Sequence, residues 1–115
     1  MPEILLVDDD EPTTRLIRLT LGLEGCNVRS YQNADDALVA AREQTPDLVI
    51  SDYLMPGLDV RSFIEQLRRD GYTGSILLCT AFDGPIDVPS SALLKKPFDP
   101  NQLASTVKSL LPVRD

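Results

Sequence analysis

Four short, nearly unbroken apolar runs constrain the fold of this chain most strongly: Ile4-Leu5-Leu6-Val7, Leu48-Val49-Ile50, Ile76-Leu77-Leu78-Cys79 and Ala92-Leu93-Leu94. Successive side chains of a strand point to opposite faces, so a run that is apolar throughout needs cover on both. Such runs mark central strands of a parallel sheet held between layers of helices. Asn27 to Tyr31 differs, because Val28 and Tyr31 flank the polar Arg29 and Ser30. That spacing predicts an edge strand.

Helical stripes lie between the runs. Pro12 suits a first helical turn, and Leu16, Leu19 and Leu23 follow as a stripe, with Ile17 and Leu21 alongside, up to Gly25. Asn33 is placed to cap a second helix with Ala34, Ala37, Leu38 and Ala41 on one face, broken by Pro46. Val60, Phe63, Ile64 and Leu67 form a third stripe, which stops at Gly71. Asp99-Pro100-Asn101-Gln102 resembles a capping box, and Leu103, Val107, Leu110 and Leu111 follow it before Pro112.

Strand and helix therefore alternate from end to end. This predicts one α/β domain over residues 1–115, a three-layer sandwich on a parallel sheet. One connection breaks the rhythm: AFDGPIDVPSS, from Ala81 to Ser91, has a glycine, two prolines and no apolar stripe. A parallel crossover takes about ten residues or more, so this stretch is long enough to cross but has little room for a full helix.

Ligands of open parallel sheets gather beyond the carboxyl ends of the strands. Those ends carry Asp8, Asp9 and Asp10 after the first run, Asp52 after the second, Thr80 after the third, and Lys95 and Lys96 before Pro97. Singly, each has a plainer reading. Acids after a strand form turns or cap helices, a loop threonine is structural, and a lysine beside a proline is solvated. Their meeting at one edge favours a site. Several carboxylates a few ångströms apart repel one another, and a hard divalent cation offsets that repulsion. Magnesium takes one or two carboxylates, a carbonyl and waters, leaving room for phosphate oxygens. Asp52 would then serve as nucleophile on phosphorus, with the Lys96 ammonium and Thr80 hydroxyl placed to stabilise the charge that develops.

Composition narrows the alternatives. Eleven basic against eighteen acidic residues leave a formal charge of −7, which works against direct contact with nucleic acid. With no histidine, imidazole nucleophiles, imidazole zinc sites and phosphohistidine on the chain itself are excluded. Cys26 and Cys79 do not make a disulfide framework, and Cys79, in an apolar run, reads as a small buried hydrophobe. The first apolar run stops at acids, so neither a signal peptide nor a membrane span is expected, and a reducing cytoplasm is.

The segments ILLVDDDE, DLVISDYLMPGLD, ILLCTA and KKPF, in this order, closely resemble the receiver domains of two-component response regulators. The resemblance spans nearly the whole chain and implies a doubly wound five-stranded sheet of flavodoxin-like order 2-1-3-4-5. By position it implies that Asp52 is the phosphoacceptor, and that Mg2+ is held by Asp9 directly, Asp8 through water and the Leu54 carbonyl. Thr80 matches the switch hydroxyl and Ala81 the small residue that admits phosphate. Lys96, rather than Lys95, matches the phosphate-pairing lysine, and its bond to Pro97 is cis in the family. Asp10 falls outside the acidic pair and is expected to cap or flank the first helix.

Three positions depart from the family. Its fourth helix, between the switch hydroxyl and the lysine, has too little sequence here and is expected to be shortened or absent. Leu93 stands where Tyr or Phe responds to phosphorylation, and Val60 stands at a turn position commonly Gly. The chemistry survives these changes, but the usual output face does not obviously do so, so the domain is expected either to signal through another surface such as the first helix or to act mainly by accepting and relaying phosphate. Phe82, Ile86 and Val88 are expected to pack inward over the missing helix. The implied function is a phosphorelay receiver, monomeric or weakly dimeric, that takes phosphate from a histidine kinase or phosphotransfer protein. One alternative is a phosphorylation-independent docking module with a vestigial site. Another is a haloacid-dehalogenase-type hydrolase, disfavoured because Pro12 takes the place of its hydroxyl residue. The tail after Leu111, PVRD, is too short to hold an effector.

Overall fold

The computed structural model describes residues 1–54 and 58–112, and the element order is β1 (Glu3–Val7), α1 (Glu11–Leu23), β2 (Asn27–Tyr31), α2 (Ala34–Glu43), β3 (Leu48–Ser51), α3 (Val60–Arg69), β4 (Ser75–Thr80), β5 (Ala92–Lys95) and α4 (Pro100–Leu110). Met55 and Pro56 of the segment that opens at Asp52, and the last three residues of the tail, lie outside the described residues. The strands form one parallel five-stranded sheet in the order β2-β1-β3-β4-β5. This is the doubly wound order that the resemblance implies.

Alternation along each strand separates two cores. Leu5, Val7, Val49, Ile76 and Leu78 point to one face, where α2 and α3 cover them with Ala37, Leu38, Phe63, Ile64 and Leu67. Ile4, Leu6, Leu48, Ile50, Leu77 and Cys79 point to the other, beneath Ile17 and Leu21 of α1 and Leu103 and Val107 of α4. The doubly apolar runs of β1, β3 and β4 thus have both faces filled. β5 is different: it lies at the sheet edge, not among the central strands. Leu94 is buried in the second core, but Leu93, in register with Leu78, is 45% exposed. Its face lacks cover because the connection that would carry a helix there has none.

That connection, 81–91, contains no helix. Ile86 and Val88 fold inward against the first core, as expected of an irregular stretch that replaces a helix. Polar ties hold it from both flanks. Arg61 on α3 donates to the Asp87 carbonyl and lies 3.8 Å from its carboxylate. Lys95 on β5 donates to the Phe82 carbonyl and pairs with Asp83 at 3.2 Å.

Helix starts follow the capping residues. Asp10, Asn33, Asp59 and Asp99 are N-caps, and their side chains accept from Thr13, Asp36, Ser62 and Asn101 amides respectively. Asp10 therefore does what its place outside the acidic pair suggests. Val60, where the family commonly has a glycine, begins α3 and is buried in the first core.

The first helix turns a different face inward from the one its stripe predicts. Ile17 and Leu21, one turn apart, face the sheet, while Leu19 and Leu23 are 63% and 80% exposed and Leu16 is exposed as well. Two sets of apolar residues share this helix at helical spacing, and only the sheet's position selects between them. Truncating Phe63, fully buried between α3 and the sheet, to alanine is expected to destabilise the protein by about 3–5 kcal/mol. Leu19→Ala is expected to stay within about 0.5 kcal/mol, as measured by urea unfolding.

Candidate functional site

The parallel ladders continue one step past the ends of the strands and align the polar residues there. The Asp8 amide donates to the Tyr31 carbonyl at 3.1 Å, the Asp52 amide to Val7 at 3.0 Å, and the Lys96 amide to Thr80 at 2.9 Å. Residues 44 and 88 positions apart in the chain thereby meet at one edge. The Lys96 ammonium lies 2.7 Å from Asp8 Oδ2 and 3.1 Å from Asp52 Oδ2, bridging the two carboxylates. Oxygens of Asp8, Asp9 and Asp52 all fall within 4.8 Å of one another. Asp8 and Asp52 are only 3% and 9% exposed, whereas Asp9 stands in solvent.

Backbone amides complete the frame. Asp10 N donates to Asp8 Oδ1 at 2.9 Å, and Leu54 N donates to Asp52 Oδ1 at 3.2 Å. Leu54 thus meets the Asp52 carboxylate through its main chain, while its side chain is exposed. The buried Thr80 hydroxyl lies at the end of β4 and accepts from the Phe82 amide at 3.1 Å. Lys95 turns away to Phe82 and Asp83, so Lys96 is the lysine that reaches the carboxylates. The Lys96–Pro97 bond is cis.

One cation faces two buried anions, and the balance is unequal. Burial is the main cause that raises the Asp8 carboxyl above its ordinary value, and the Asp52 charge adds to it. The Lys96 ammonium and the Asp10 amide oppose the rise without cancelling it. Burial alone would lower the Lys96 ammonium, but its bonds to Asp8 and Asp52 and their charges win and raise it, so it stays protonated. With Asp9 included, three carboxylates cluster at the site, and one ammonium bonds two of them. This all-oxygen donor set lacks imidazole, and burial holds the nearby Cys79 thiol at about 12, too high to provide a thiolate. The residues fit a hard divalent cation such as Mg2+.

Two neighbouring features escaped the sequence reading. Tyr53, directly after Asp52, stacks on Phe82, two residues after Thr80, with ring centroids 5.0 Å apart. No periodicity links the two positions, and the only signal was an aromatic residue beside each site residue. A groove of about 360 Å³ also opens beside Lys96, lined by Pro12, Leu16, Ala81, Pro97 and Phe98 among others.

Comparison with known proteins agrees with this geometry. Residues 4–108 match the family model of the response regulator receiver domain. The chain is 31% identical to the alkaline phosphatase synthesis transcriptional regulatory protein PhoP of Bacillus subtilis, covering 95% of this chain and 48% of that protein. It is 33% identical to the transcriptional regulatory protein PcoR of Escherichia coli, covering 96% and 52%. The chain thus spans about half the length of these curated relatives. Among solved structures, a putative response regulator from Chloroflexus aurantiacus superposes with a TM-score of 0.86 at 30% identity, covering 95% of this chain and 96% of that one. The BeF3-activated receiver domain of RstA from Klebsiella pneumoniae gives 0.87 at 26% identity, covering 96% and 99%.

The raised Asp8 value has a consequence for stability. The native state keeps the Asp8 proton to higher pH than the unfolded chain does, whose value is near 3.8. The stability that this proton confers is lost as pH rises from the unfolded value through the raised one. With a chelator present at neutral pH, Asp8→Asn is therefore expected to raise the thermal midpoint. The gain should shrink as pH falls towards the free aspartate value, and an unchanged or lower midpoint at neutral pH would refute this account.

Proposed function

The chain belongs to the response-regulator receiver domain family, and from that premise we propose that residues 1–115 act as one receiver unit whose Asp52 accepts a phosphoryl group. The donor is the phosphohistidine of a partner histidine kinase or phosphotransfer protein. An Asp52 carboxylate oxygen attacks phosphorus, the P–N bond breaks, and the imidazole nitrogen leaves with its electron pair. Water later attacks the acyl phosphate, releasing inorganic phosphate and restoring the carboxylate. The unit is a signalling domain, whose only catalysis is this transfer and slow autodephosphorylation.

The observation that carries this reading is the Lys96 ammonium held between Asp8 and Asp52. An ammonium within 3.1 Å of the acceptor oxygen is within reach of a phosphoryl oxygen attached there. The buried Thr80 hydroxyl, at the same strand edge, keeps a proton to donate to that group. Ala81 adds no bulk beside it. Asp8, Asp9, Asp52 and the Leu54 carbonyl would hold Mg2+. Bound there, the ion supplies neutralisation of the carboxylates and of the phosphoryl charge.

A partner must bring its phosphohistidine to this edge. Leu16 of α1 lines the apolar groove beside Lys96, and the exposed Leu19 and Leu23 follow it on that helix at helical spacing, which suits a partner with an apolar face. The net charge of −7 makes nucleic acid a poor partner for this stretch. The same chemistry suits a cytoplasmic setting, and among the described residues no helix is long and apolar enough to cross a membrane.

Acetyl phosphate and intact mass test the reading. In Mg2+ the wild type is expected to gain one phosphoryl group and Asp52→Asn none. Lys96→Met or Thr80→Ala is expected to slow the gain by about 10²-fold, the cost of one preorganised donor. Mg2+ at a hundred times its dissociation constant is expected to add about 2.7 kcal/mol of stability. A folded wild type that takes phosphate neither from acetyl phosphate nor from a phosphohistidine donor would leave the docking module as the better account.

A further inference from the structure

The geometry points to the Tyr53–Phe82 ring pair as the element that carries the state of the Thr80 hydroxyl into the helix-less connection 81–91, an inference that rests on the acceptor reading above. Both rings grow from the site. Tyr53 follows the acceptor Asp52, and Phe82 donates its amide to Thr80 Oγ1 at 3.1 Å. The rings lie 5.0 Å apart between centroids and 22° from parallel, so a displacement of one presses on the other.

Thr80 has one hydroxyl proton and a few acceptor directions to distribute. It now accepts from Phe82. Turning the hydroxyl to donate to a phosphoryl oxygen on Asp52 reorients that acceptor, and the Phe82 amide must either follow or lose its partner. The Phe82 backbone therefore registers the turn. The ring has little slack to absorb it: a Cβ at Gly84 would stand only 2.5 Å from Phe82 Cζ, so the ring packs on bare backbone. Motion of Phe82 is thereby passed both to Tyr53 and to Gly84 further along the connection.

The middle of the connection is held by ties that remake readily. The Lys95–Asp83 and Arg61–Asp87 pairs are largely exposed, and exposed pairs contribute little to rigidity. Ile86 and Val88 seat it on the core, and Ser91 fixes its far end by donating its amide to the Ile76 carbonyl at 2.8 Å and accepting from the Ile76 amide at 3.0 Å. The β5 residue Leu93 brings no ring to this region and is half in solvent. The aromatic coupling is thus built from the β3 and β4 ends, and 81–91 becomes the surface that changes.

Amide and tyrosine-ring NMR of the 115-residue chain with Mg2+ and beryllium fluoride, an acyl-phosphate mimic, tests this. In the wild type, shifts are expected at Asp52, Thr80 and Lys96, at the Tyr53 ring and along 83–91. In Phe82→Leu, which keeps an apolar side chain but no ring, the shifts at Asp52 and Lys96 should remain while those of the Tyr53 ring and 84–91 are lost. Phe82→Tyr should restore them. Should Phe82→Leu fail to fold, Tyr53→Leu removes the other ring and is expected to silence 84–91 in the same way. Full 84–91 shifts in the ring-deleted variant, or a quiet 83–91 in a wild type that responds at Asp52 and Lys96, would overturn the coupling and leave the acceptor reading intact. A folded wild type silent at Asp52 and Lys96 too would overturn both.

Discussion

Two carboxylates buried side by side repel each other, and the arrangement of this protein's polar edge follows from how that repulsion is contained. The Lys96 ammonium reaches both Asp8 and Asp52, and backbone amides of Asp10 and Leu54 take the remaining oxygens. Containment is partial: Asp8 is still raised, chiefly by burial, and the Asp52 charge adds to the rise. A site left with surplus negative charge favours whatever positive charge enters it. The electrostatic imbalance and the capacity for a cation are one property.

The sheet makes this imbalance possible. Parallel strands all end at one edge, and extension of the ladder by one hydrogen bond at Asp8, Asp52 and Lys96 fixes their backbones before the side chains are considered. The alternating faces then fill two separate cores. Because β1 and β3 are covered on both faces, the two carboxylates at their ends rest on backbone with little freedom to part.

The parts of this design that depend on local pattern were legible in the residues. Doubly apolar runs placed β1, β3 and β4, the polar interruption of β2 placed it at an edge, and Asn33 and Asp99 announced their helices. The glycine and prolines of 81–91 announced a helix shortened or absent, and the stretch has none. What stayed hidden depended on tertiary choice. Helix α1 has two apolar faces at helical spacing, and Leu16, Leu19 and Leu23 lost to Ile17 and Leu21 only because the sheet lies on that side. Leu93 looked as buried as Leu94 until the uncovered edge distinguished them. The proximity of Asp8, Asp52 and Lys96 was inferable from strand ends, whereas the stack of Tyr53 on Phe82 joins loop residues that no pattern relates.

The uncovered edge also divides the protein into parts of unequal permanence. β5 has one neighbouring strand, an open flank at Leu93 and an irregular approach through 81–91, whereas β1 and β3 are paired on both sides. Local opening begins where buried contacts and protected hydrogen bonds are fewest, and the edge that leads to Lys96 is one of the two the sheet exposes. The anions are therefore built at the ends of interior strands and their countercharge at the end of an edge strand. An opening of that edge would leave the two carboxylates assembled on the sheet's interior strands without the ammonium that now bridges them.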